Sequence, residues 1–395
     1  PNDFAVAMRH DLPIVEVIDQ YGKLNEKCGK YAGLKVEEAR KIIAEDLKKA
    51  GLLVKVDKEY KHNVKKCYKC GKVLEPRVLP QWFVKMKPLA EPVIKAIEAD
   101  EITFYPEHYK KIMLHWLTNI EDWNISRQIV WGIPIPETPG ETFDTWFSSG
   151  QWPFATLGYP DGADYKNFYP TQVMETAGEI IFFWVARMLM LGLYRTGQLP
   201  FNTIYLHGLV TAKDGEKMSK SRGNVISPLV LSEKYGTDAL RMGLIIGNTP
   251  GTSTALYEDK IKAYKHFANK LWNISRFILD NTSHDDEMAV LDQEEEKLQT
   301  EQQEVLKSVT VHLDNYRFHL AGEELYHYIW HRLADEIIEE SKSNLTVSRK
   351  KLLRQSLKNI LLALNPIMPF VTEELWSIIK EDQEDLLMIT SWPIK

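Results

Sequence analysis

The chain has 395 residues, of which 44% are hydrophobic and 26% are charged, and its formal net charge at pH 7 is −6. This composition is typical of a globular protein with more than one domain, and it excludes collagen-like and intrinsically disordered chains. The charge excludes a protein coated with basic residues, although a local basic face is enough to bind nucleic acid. Three cysteines cannot build a disulfide framework, and the sequence shows neither a secretory signal nor a long uncharged apolar run. We therefore expect a cytoplasmic protein that does not enter the membrane.

The first hundred residues contain two predicted elements. Apolar side chains recur at helical spacing from Val36 to Leu47, and Gly51 supplies a helix stop. The run from Pro80 to Met86 predicts a buried strand that follows a turn. Between them lies Cys67-x-x-Cys70, which has the spacing of half a zinc site. A closed structural site needs four ligands, so we expect no complete tetrahedral site in this sequence.

Residues 115–255 are rich in aromatic residues and glycines, and three apolar segments lie among them. They are Gln128 to Trp131, Ile180 to Leu193, which predicts a buried helix, and Thr203 to Val210, which predicts a strand. Strands and helices that alternate through short loops are typical of a parallel α/β layer. In such layers ligands bind beyond the carboxyl ends of the strands.

From about Tyr257 onward the apolar residues follow helical spacing, which predicts a helical bundle. The acidic stretch from Asp285 to Glu304 is most simply a solvated linker or helix face. Asn365 to Phe370 breaks one helix, and Thr372 to Ile379 predicts the next. The sequence thus divides into residues 1–60, an α/β part at 61–255 and a helical part at 256–395.

A glycine-bracketed loop, Gly215-Glu216-Lys217-Met218-Ser219-Lys220-Ser221-Arg222-Gly223-Asn224, follows the strand that ends near Val210. Lys217 and Lys220 each carry a compact, flexible cation with three donors. Such groups can follow phosphate oxygens as negative charge develops on them. For two lysines in a loop of this length, without regard to the residues around them, the simpler interpretation is a solvated basic turn.

The five residues Lys217 to Ser221 resemble the KMSKS signature of the class I aminoacyl-tRNA synthetases, and the resemblance extends over nearly the whole chain. Five further blocks carry the resemblance, and the third and fourth of them resemble the enzymes for valine specifically. These blocks are Trp123–Gln128 with Trp131–Pro136, Asp144–Ser149, Phe182–Met188 and Asn365–Trp376. The resemblance implies the second half of a Rossmann-like catalytic domain, then an all-α anticodon-binding bundle. Residues 1–60 would be a remnant of the inserted editing and connective region.

The resemblance also implies site residues. Trp146, Ile180 and Trp184 would enclose the valine side chain, with Ile180 leaving no room for another methylene. Gly178 and Glu179 would approach the ribose of ATP, although the family usually shows Gly-x-Asp there. Lys217 and Lys220 would neutralise the pyrophosphate during catalysis, and the nucleotide site would also include Ser219 and Ser221. A second cysteine pair that would complete the zinc site with Cys67 and Cys70 belongs to upstream family sequence.

The implied reaction is ATP-dependent activation of valine and its transfer to tRNA(Val), with Mg²⁺ accompanying ATP and the protein acting as a monomer. The family's other signature, His-x-Gly-His, does not occur in the sequence, so we expect a longer enzyme that carries it upstream. Two alternatives remain open. One is an isoleucine–tRNA ligase with a roomier pocket, and the other is a non-catalytic tRNA-binding module. A basic and aromatic helix around Tyr264, Lys265, His266, Lys270, Trp272 and Arg276 is the predicted tRNA contact.

Overall fold

The computed structural model describes residues 2–57, 59–67, 70–218, 223–380 and 386–394. The chain forms two compact units, residues 1–82 and 83–395. Residues 83–255 of the α/β part and the whole helical part therefore belong to one unit, whereas residues 61–82 belong to the other. The domain boundaries after residues 60 and 255 stay predictions. Within the described ranges no helix is both long enough and apolar enough to cross a membrane.

The first unit has little apolar core. It contains α1 (Asn2–Arg9), a 3₁₀ helix (Glu26–Tyr31) and α2 (Val36–Lys49), so the helix predicted from Val36 is confirmed. Ala39 is the only hydrophobic residue buried among the described residues of this unit. Polar contacts join its distant segments instead, including Arg77 Nη2 to Glu16 Oε1 at 2.7 Å.

The α/β part of the second unit is built on short strands. The strands are β1 (Phe83–Val84), β2 (Thr103–Tyr105), β3 (Trp123–Asn124), β4 (Ser126–Arg127), β5 (Thr142–Phe143), β6 (Thr171–Ala177), β7 (Phe201–His207), β8 (Val210–Thr211) and β9 (Thr254–Ala255). The helices are α3 (Lys87–Glu98), α4 (His108–Thr118), α5 (Thr145–Ser149), α6 (Trp152–Ala155), α7 (Ala163–Phe168), a π-helical segment (Ile181–Val185), α8 (Ala186–Thr196), α9 (Pro228–Tyr235) and α10 (Thr237–Ile245).

The central sheet is parallel, with strand order β2-β7-β6. Strand β7 lies in the middle and buries alternate residues, Ile204 and Leu206, because successive side chains of a strand point to opposite faces. The predicted helix from Ile180 to Leu193 is present, but it begins with a 3₁₀ turn and the π-helical segment before α8. The side chains of α3, α8 and β7 share one apolar core.

The buried strand predicted from Pro80 to Met86 is wrong. Only Phe83 and Val84 form β1, which pairs antiparallel with β3, and Phe83 is exposed. Met86 is buried, but it stands at the start of α3. Two paired strands of two residues each form too few backbone hydrogen bonds to support a buried strand over the whole range from Pro80 to Met86.

The helical part consists of long helices around one core. They are α11 (Glu258–Asn281), a 3₁₀ helix (His284–Met288), α12 (Gln293–Asp314), α13 (Phe318–His327), a π-helical segment (Tyr328–Ile338), α14 (Glu339–Ser341), α15 (Val347–Leu364), α16 (Pro369–Ile379) and a 3₁₀ helix (Leu387–Ile389). The bundle and the helix predicted from Thr372 are confirmed. The acidic stretch is not merely a solvated face, because Glu295 is buried and accepts a hydrogen bond of 2.7 Å from Arg349 Nε.

Two sets of contacts join the bundle to the α/β part. Asp238 on α10 accepts from the backbone N–H groups of Phe370 (3.2 Å) and Val371 (2.6 Å) at the start of α16. Burial raises the pKa of Asp238, while these two donors lower it. At the other end of the interface, the ring of Tyr316 lies 4.6 Å from that of Tyr105 on β2. The ring contact places Tyr316 of the helical part beside Tyr105, at the carboxyl end of β2.

Candidate active site

The candidate site begins where β6 and β7 end side by side. Ala177, the last residue of β6, is paired with His207, the last residue of β7. The 3₁₀ turn Gly178–Ile180 follows β6 directly and leads into the π-helical segment. The structure therefore brings the predicted nucleotide residues Gly178 and Glu179 to the carboxyl edge of a parallel sheet, where ligands bind in α/β folds.

Gly178 has no room for a side chain. A Cβ atom built at this position would lie 2.1 Å from the Tyr109 hydroxyl and 2.6 Å from its ring carbon Cζ. The turn after β6 therefore approaches α4 closely, and any larger residue would require the Tyr109 ring to move.

Glu179 and Lys217 meet across this edge. Lys217 Nζ lies 3.1 Å from Glu179 Oε2, and their side chains are 69% and 54% exposed. An ion pair this exposed contributes only about 0–1 kcal/mol, so a ligand can replace it at little cost. The two charges could serve a nucleotide separately, the carboxylate as an acceptor for ribose hydroxyls and the ammonium group as a partner for phosphate.

The base of the lysine loop is held by backbone contacts. The Ala212 N–H donates to the Glu216 carbonyl at 2.9 Å, and Thr211 forms an antiparallel bridge with Lys217. Strand β8 pairs in parallel with β9, which leads into α11. Ser219, Lys220 and Ser221 lie outside the described residues, so their roles stay predictions.

Met218, which is not among the predicted site residues, packs against the apolar cluster formed by α9, α10 and the start of α11. Leu240 and Ile261 are among the buried members of this cluster. The methionine thus anchors one side of the loop next to the two lysines. The sequence signal for this packing was the position of Met218 between Lys217 and Lys220, because an apolar residue inside a charged loop is expected to be buried.

Trp146 and Trp184 lie on neighbouring helical segments. Trp184 Nε1 donates to the carbonyl of Ser149, the last residue of α5, at 3.0 Å. Trp146, on the same helix α5, stacks on Phe183 with ring centroids 6.0 Å apart. Both indoles are half-buried against one core, and Ile180 is also half-buried. The structure therefore brings together the two segments that carry the predicted amino-acid pocket.

Cys67 and Cys70 lie in the first unit. The N–H of Gly71 donates to the Cys67 carbonyl at 2.8 Å. No disulfide joins the three cysteines, all of which are described. Among the residues that the structure covers, no cluster of three or more His, Cys, Asp or Glu side chains could hold a metal ion.

The predicted tRNA-contacting helix is α11, and its residues divide between two faces. Tyr264 is half-buried, and burial raises the pKa of its hydroxyl to about 12. Lys270 lies 2.6 Å from Asp335 and 4.1 Å above the Trp330 ring, so it belongs to the bundle. The exposed members are Lys265, His266, Trp272 and Arg276.

Comparison with known families gives two matches. A family model described as tRNA synthetases class I (I, L, M and V) matches residues 17–139 and 137–256. The model for the anticodon-binding domain of tRNA ligase matches residues 295–395. Together they cover the α/β part and most of the bundle.

Similar proteins include valine–tRNA ligases from Petrotoga mobilis (42% identical over an alignment of 434 positions, gaps included) and Thermotoga maritima (41% over 428 positions). Each alignment covers 100% of this chain but 49% of the relative. The chain therefore spans about half the length of the curated relatives it matches.

Solved structures of similar fold include two synthetases. Mycobacterium tuberculosis methionyl-tRNA synthetase bound by methionyl-adenylate aligns with a TM-score of 0.63 at 20% identity, over 79% of this chain and 65% of the other. A LeuRS–tRNA–LeuAMS ternary complex from Agrobacterium radiobacter K84 aligns with a TM-score of 0.57 at 19% identity, over 73% and 46%. These likenesses confirm the fold class. With the family model matching more than half of its residues, the chain belongs to the class I tRNA synthetases of the I, L, M and V family.

Proposed function

We propose that this chain supplies the amino-acid pocket, the pyrophosphate side of the nucleotide site and the anticodon-binding bundle of a valine–tRNA ligase. The observation that carries the proposal is the continuous segment from Gly178 to Trp184. It starts at the carboxyl end of β6, pairs Glu179 with Lys217 at 3.1 Å and ties Trp184 to the helix of Trp146. The names of the similar ligases support valine as the amino acid.

The reaction requires no nucleophile from the protein. The carboxylate of valine attacks the α-phosphate of ATP, and pyrophosphate leaves as valyl-adenylate forms. A hydroxyl of the terminal ribose of tRNA(Val) then attacks the carbonyl carbon of the adenylate, an ester forms, and AMP leaves. Catalysis in such a transfer is positioning and stabilisation of developing charge. In this proposal Glu179 accepts from the ribose hydroxyls beside Gly178, and Lys217 and Lys220 neutralise the departing pyrophosphate with Ser219 and Ser221.

ATP is the substrate, and the charges at the site fit it. Lys217 offers a mobile cation and Glu179 an acceptor, both open to solvent. We propose that Mg²⁺ arrives with ATP, because Mg²⁺ in nucleotide sites is held largely by phosphate oxygens and water. The exposed face of α11, with Trp272 and Arg276, would contact tRNA through stacking and phosphate pairing.

In this proposal the pocket selects valine by size. Trp146, Trp184 and Ile180 would surround a small branched side chain with rigid walls. One extra methylene in such a pocket changes binding by about 1–3 kcal/mol, which is roughly 10- to 200-fold. An isoleucine ligase would need more room at Ile180.

A binding experiment tests this proposal without requiring the complete reaction. Isothermal titration of the chain with the valyl and isoleucyl sulfamoyl adenosines should show preference for the valyl compound. Ile180→Ala should remove most of that preference, whereas Ile378→Ala, at an exposed position of α16, should leave it unchanged. Preference for the isoleucyl compound would contradict the choice of valine. Binding of tRNA with no binding of either compound would favour a tRNA-binding module.

We also propose a monomeric protein, because the resemblance implies it, and a cytoplasmic one, because three cysteines are too few for a disulfide framework. Sedimentation equilibrium of the chain tests the first point, and a concentration-dependent dimer would contradict it. A zinc site completed by further cysteines stays a prediction for longer relatives, and zinc titration of this chain should show no tight binding at Cys67 and Cys70.

A further inference from the structure

Asp144 is a buried carboxylate behind the predicted amino-acid pocket. Its residue is 7% exposed, and its Oδ2 atom receives two donors, Trp123 Nε1 and Arg127 Nη2, each at 2.9 Å. A buried carboxylate is costly unless donors compensate its charge, and these two contacts supply that compensation.

The same carboxylate begins the helix that carries Trp146. Asp144 is the N-cap of α5, and its Oδ1 accepts from the backbone N–H of Trp146 at 3.4 Å. Its own N–H donates to the Ile125 carbonyl at 2.7 Å, which ties the start of α5 to the chain between β3 and β4. Because α5 has only five residues, its direction depends on this cap more than that of a long helix would.

Arg187 packs on Trp123, which is one of the two donors to Asp144. Its guanidinium lies 4.1 Å above the Trp123 ring, and its Nη1 donates to the Phe183 carbonyl at 2.8 Å. Burial lowers the pKa of Arg187, while the charge of Asp144 raises it. Phe183 in turn stacks on Trp146. Two sets of contacts therefore connect Asp144 with Trp146. The first is the hydrogen bond of the helix cap, and the second runs through Trp123, Arg187 and Phe183.

We propose that Asp144 is the positioning residue that fixes the Trp146 wall of the amino-acid pocket and thereby sets its selectivity. This inference rests on the proposed function, because the pocket itself belongs to that proposal. Asp144 does not touch the amino acid. It acts through the orientation of α5, so its loss should weaken ligand binding and relax size selection without removing any ligand contact.

Fluorine NMR of the chain labelled with 5-fluorotryptophan tests the positioning directly. The 11 tryptophans require assignment by single replacements, Trp146→Phe, Trp123→Phe and Trp272→Phe. In Asp144→Asn, which keeps one acceptor for the cap, the Trp123 and Trp146 signals should shift. In Asp144→Ala they should shift further and broaden. The Trp272 signal, from an exposed residue of the bundle, should not move in either variant.

Asp292→Asn is the matched control. Asp292 is the N-cap of α12 and accepts from the N–H groups of Glu294 (3.0 Å) and Glu295 (3.2 Å). Its replacement removes the same charge from the same kind of cap, far along the chain from the pocket. It should leave the Trp146 and Trp123 signals and the binding of valyl sulfamoyl adenosine unchanged. Asp144→Asn should weaken that binding at least tenfold and reduce the preference over the isoleucyl compound.

The outcomes separate this inference from the proposed function. If the Trp146 signal is identical to that of the wild type in both Asp144 variants, the positioning role is wrong. If Trp146 moves but affinity and preference do not change, its connection with selectivity is wrong. Failure of the wild-type chain to bind either compound contradicts the proposed function instead, and the fluorine spectra still decide whether Asp144 positions Trp146. Circular dichroism of Asp144→Asn should show the wild-type fold.

Discussion

The two parts of the second unit use polar groups differently. In the helical bundle, charged side chains that enter the interior are paired there, as Arg349 is with Glu295. In the α/β part, the charges of the candidate site stay near the surface, and Glu179 and Lys217 are each more than half exposed. The bundle therefore compensates the charges that it buries by pairing them, whereas the site keeps its charges available for exchange with a ligand.

Apolar residues show the same contrast. Leu357 on α15 and Phe267 on α11 are fully buried in the bundle core. In the α/β part, the loop between β4 and β5 leaves Val130 fully exposed and Trp131 87% exposed. Regions with incomplete burial are where binding residues are expected, because a well-packed core leaves no surface for a ligand.

The largest expected effect is at the buried ion pair. Arg349→Ala should lower the free energy of unfolding by about 3–5 kcal/mol, because it leaves Glu295 charged and buried without its partner. Arg332→Ala removes an arginine that pairs with Glu301 at 2.7 Å but lies near the surface, and it should cost about 0–1 kcal/mol. Urea unfolding followed by far-UV circular dichroism measures both. Equal losses would remove the distinction between the two kinds of pair.

Leu357→Ala should lower the free energy of unfolding by about 2–5 kcal/mol, since it removes buried methyl groups and leaves a cavity. Val130→Ala, at the exposed loop, should change it by no more than about 0.5 kcal/mol. Thermal melting of the two variants gives the comparison. A large loss at Val130 would mean that this loop is covered in solution.

Gly178→Ala should cost about 1–3 kcal/mol, because the new methyl group overlaps Tyr109. In a Tyr109→Ala background the same replacement should cost less, since the overlapping ring is gone. Gly192→Ala on α8, where a Cβ would approach Pro200 Cγ to 3.1 Å, should be tolerated better. Chemical unfolding of the four variants gives the coupling. Additive losses at residues 178 and 109 would contradict the close approach.

The smallest expected effect concerns the Glu179–Lys217 pair. A double-mutant cycle with Glu179→Gln and Lys217→Met should give a coupling of about 0–1 kcal/mol in stability that declines as salt is added. Both single variants should nevertheless weaken the binding of valyl sulfamoyl adenosine. A coupling above about 2 kcal/mol that is independent of salt would mean that the pair is structural.

Local pattern was sufficient for much of the fold. The spacing of Phe267, Leu271, Ile274 and Ile278 predicted α11, and these residues are buried in the bundle core. The helix predicted at Ile180 to Leu193 is present. The strand predicted at Thr203 to Val210 is present as β7 but ends at His207, and the separate short strand β8 precedes the lysine loop. Such predictions succeed because a period of two or of 3.6 residues is a property of neighbouring positions.

The site was less accessible to sequence reasoning. The motifs identified Glu179, Lys217, Trp146 and Trp184, but they did not identify the contacts that hold these side chains in place. Asp144 was visible only as part of the block Asp144–Ser149, and its contact with Trp123 joins residues 21 positions apart. The packing of Met218 into the cluster of α9, α10 and α11 was likewise not predicted, because it depends on how three separate helices meet.

The sequence by itself determined the family signatures, the periodicity of the helices and the order of an α/β part before a helical bundle. Only the tertiary structure decided that Glu179 lies 3.1 Å from Lys217, that Glu295 is buried rather than solvated, and that residues 80–86 do not form a buried strand. These outcomes depend on which distant segments pack together. The free energy of burial and ion pairing is set by that packing, and no local window of the chain contains it.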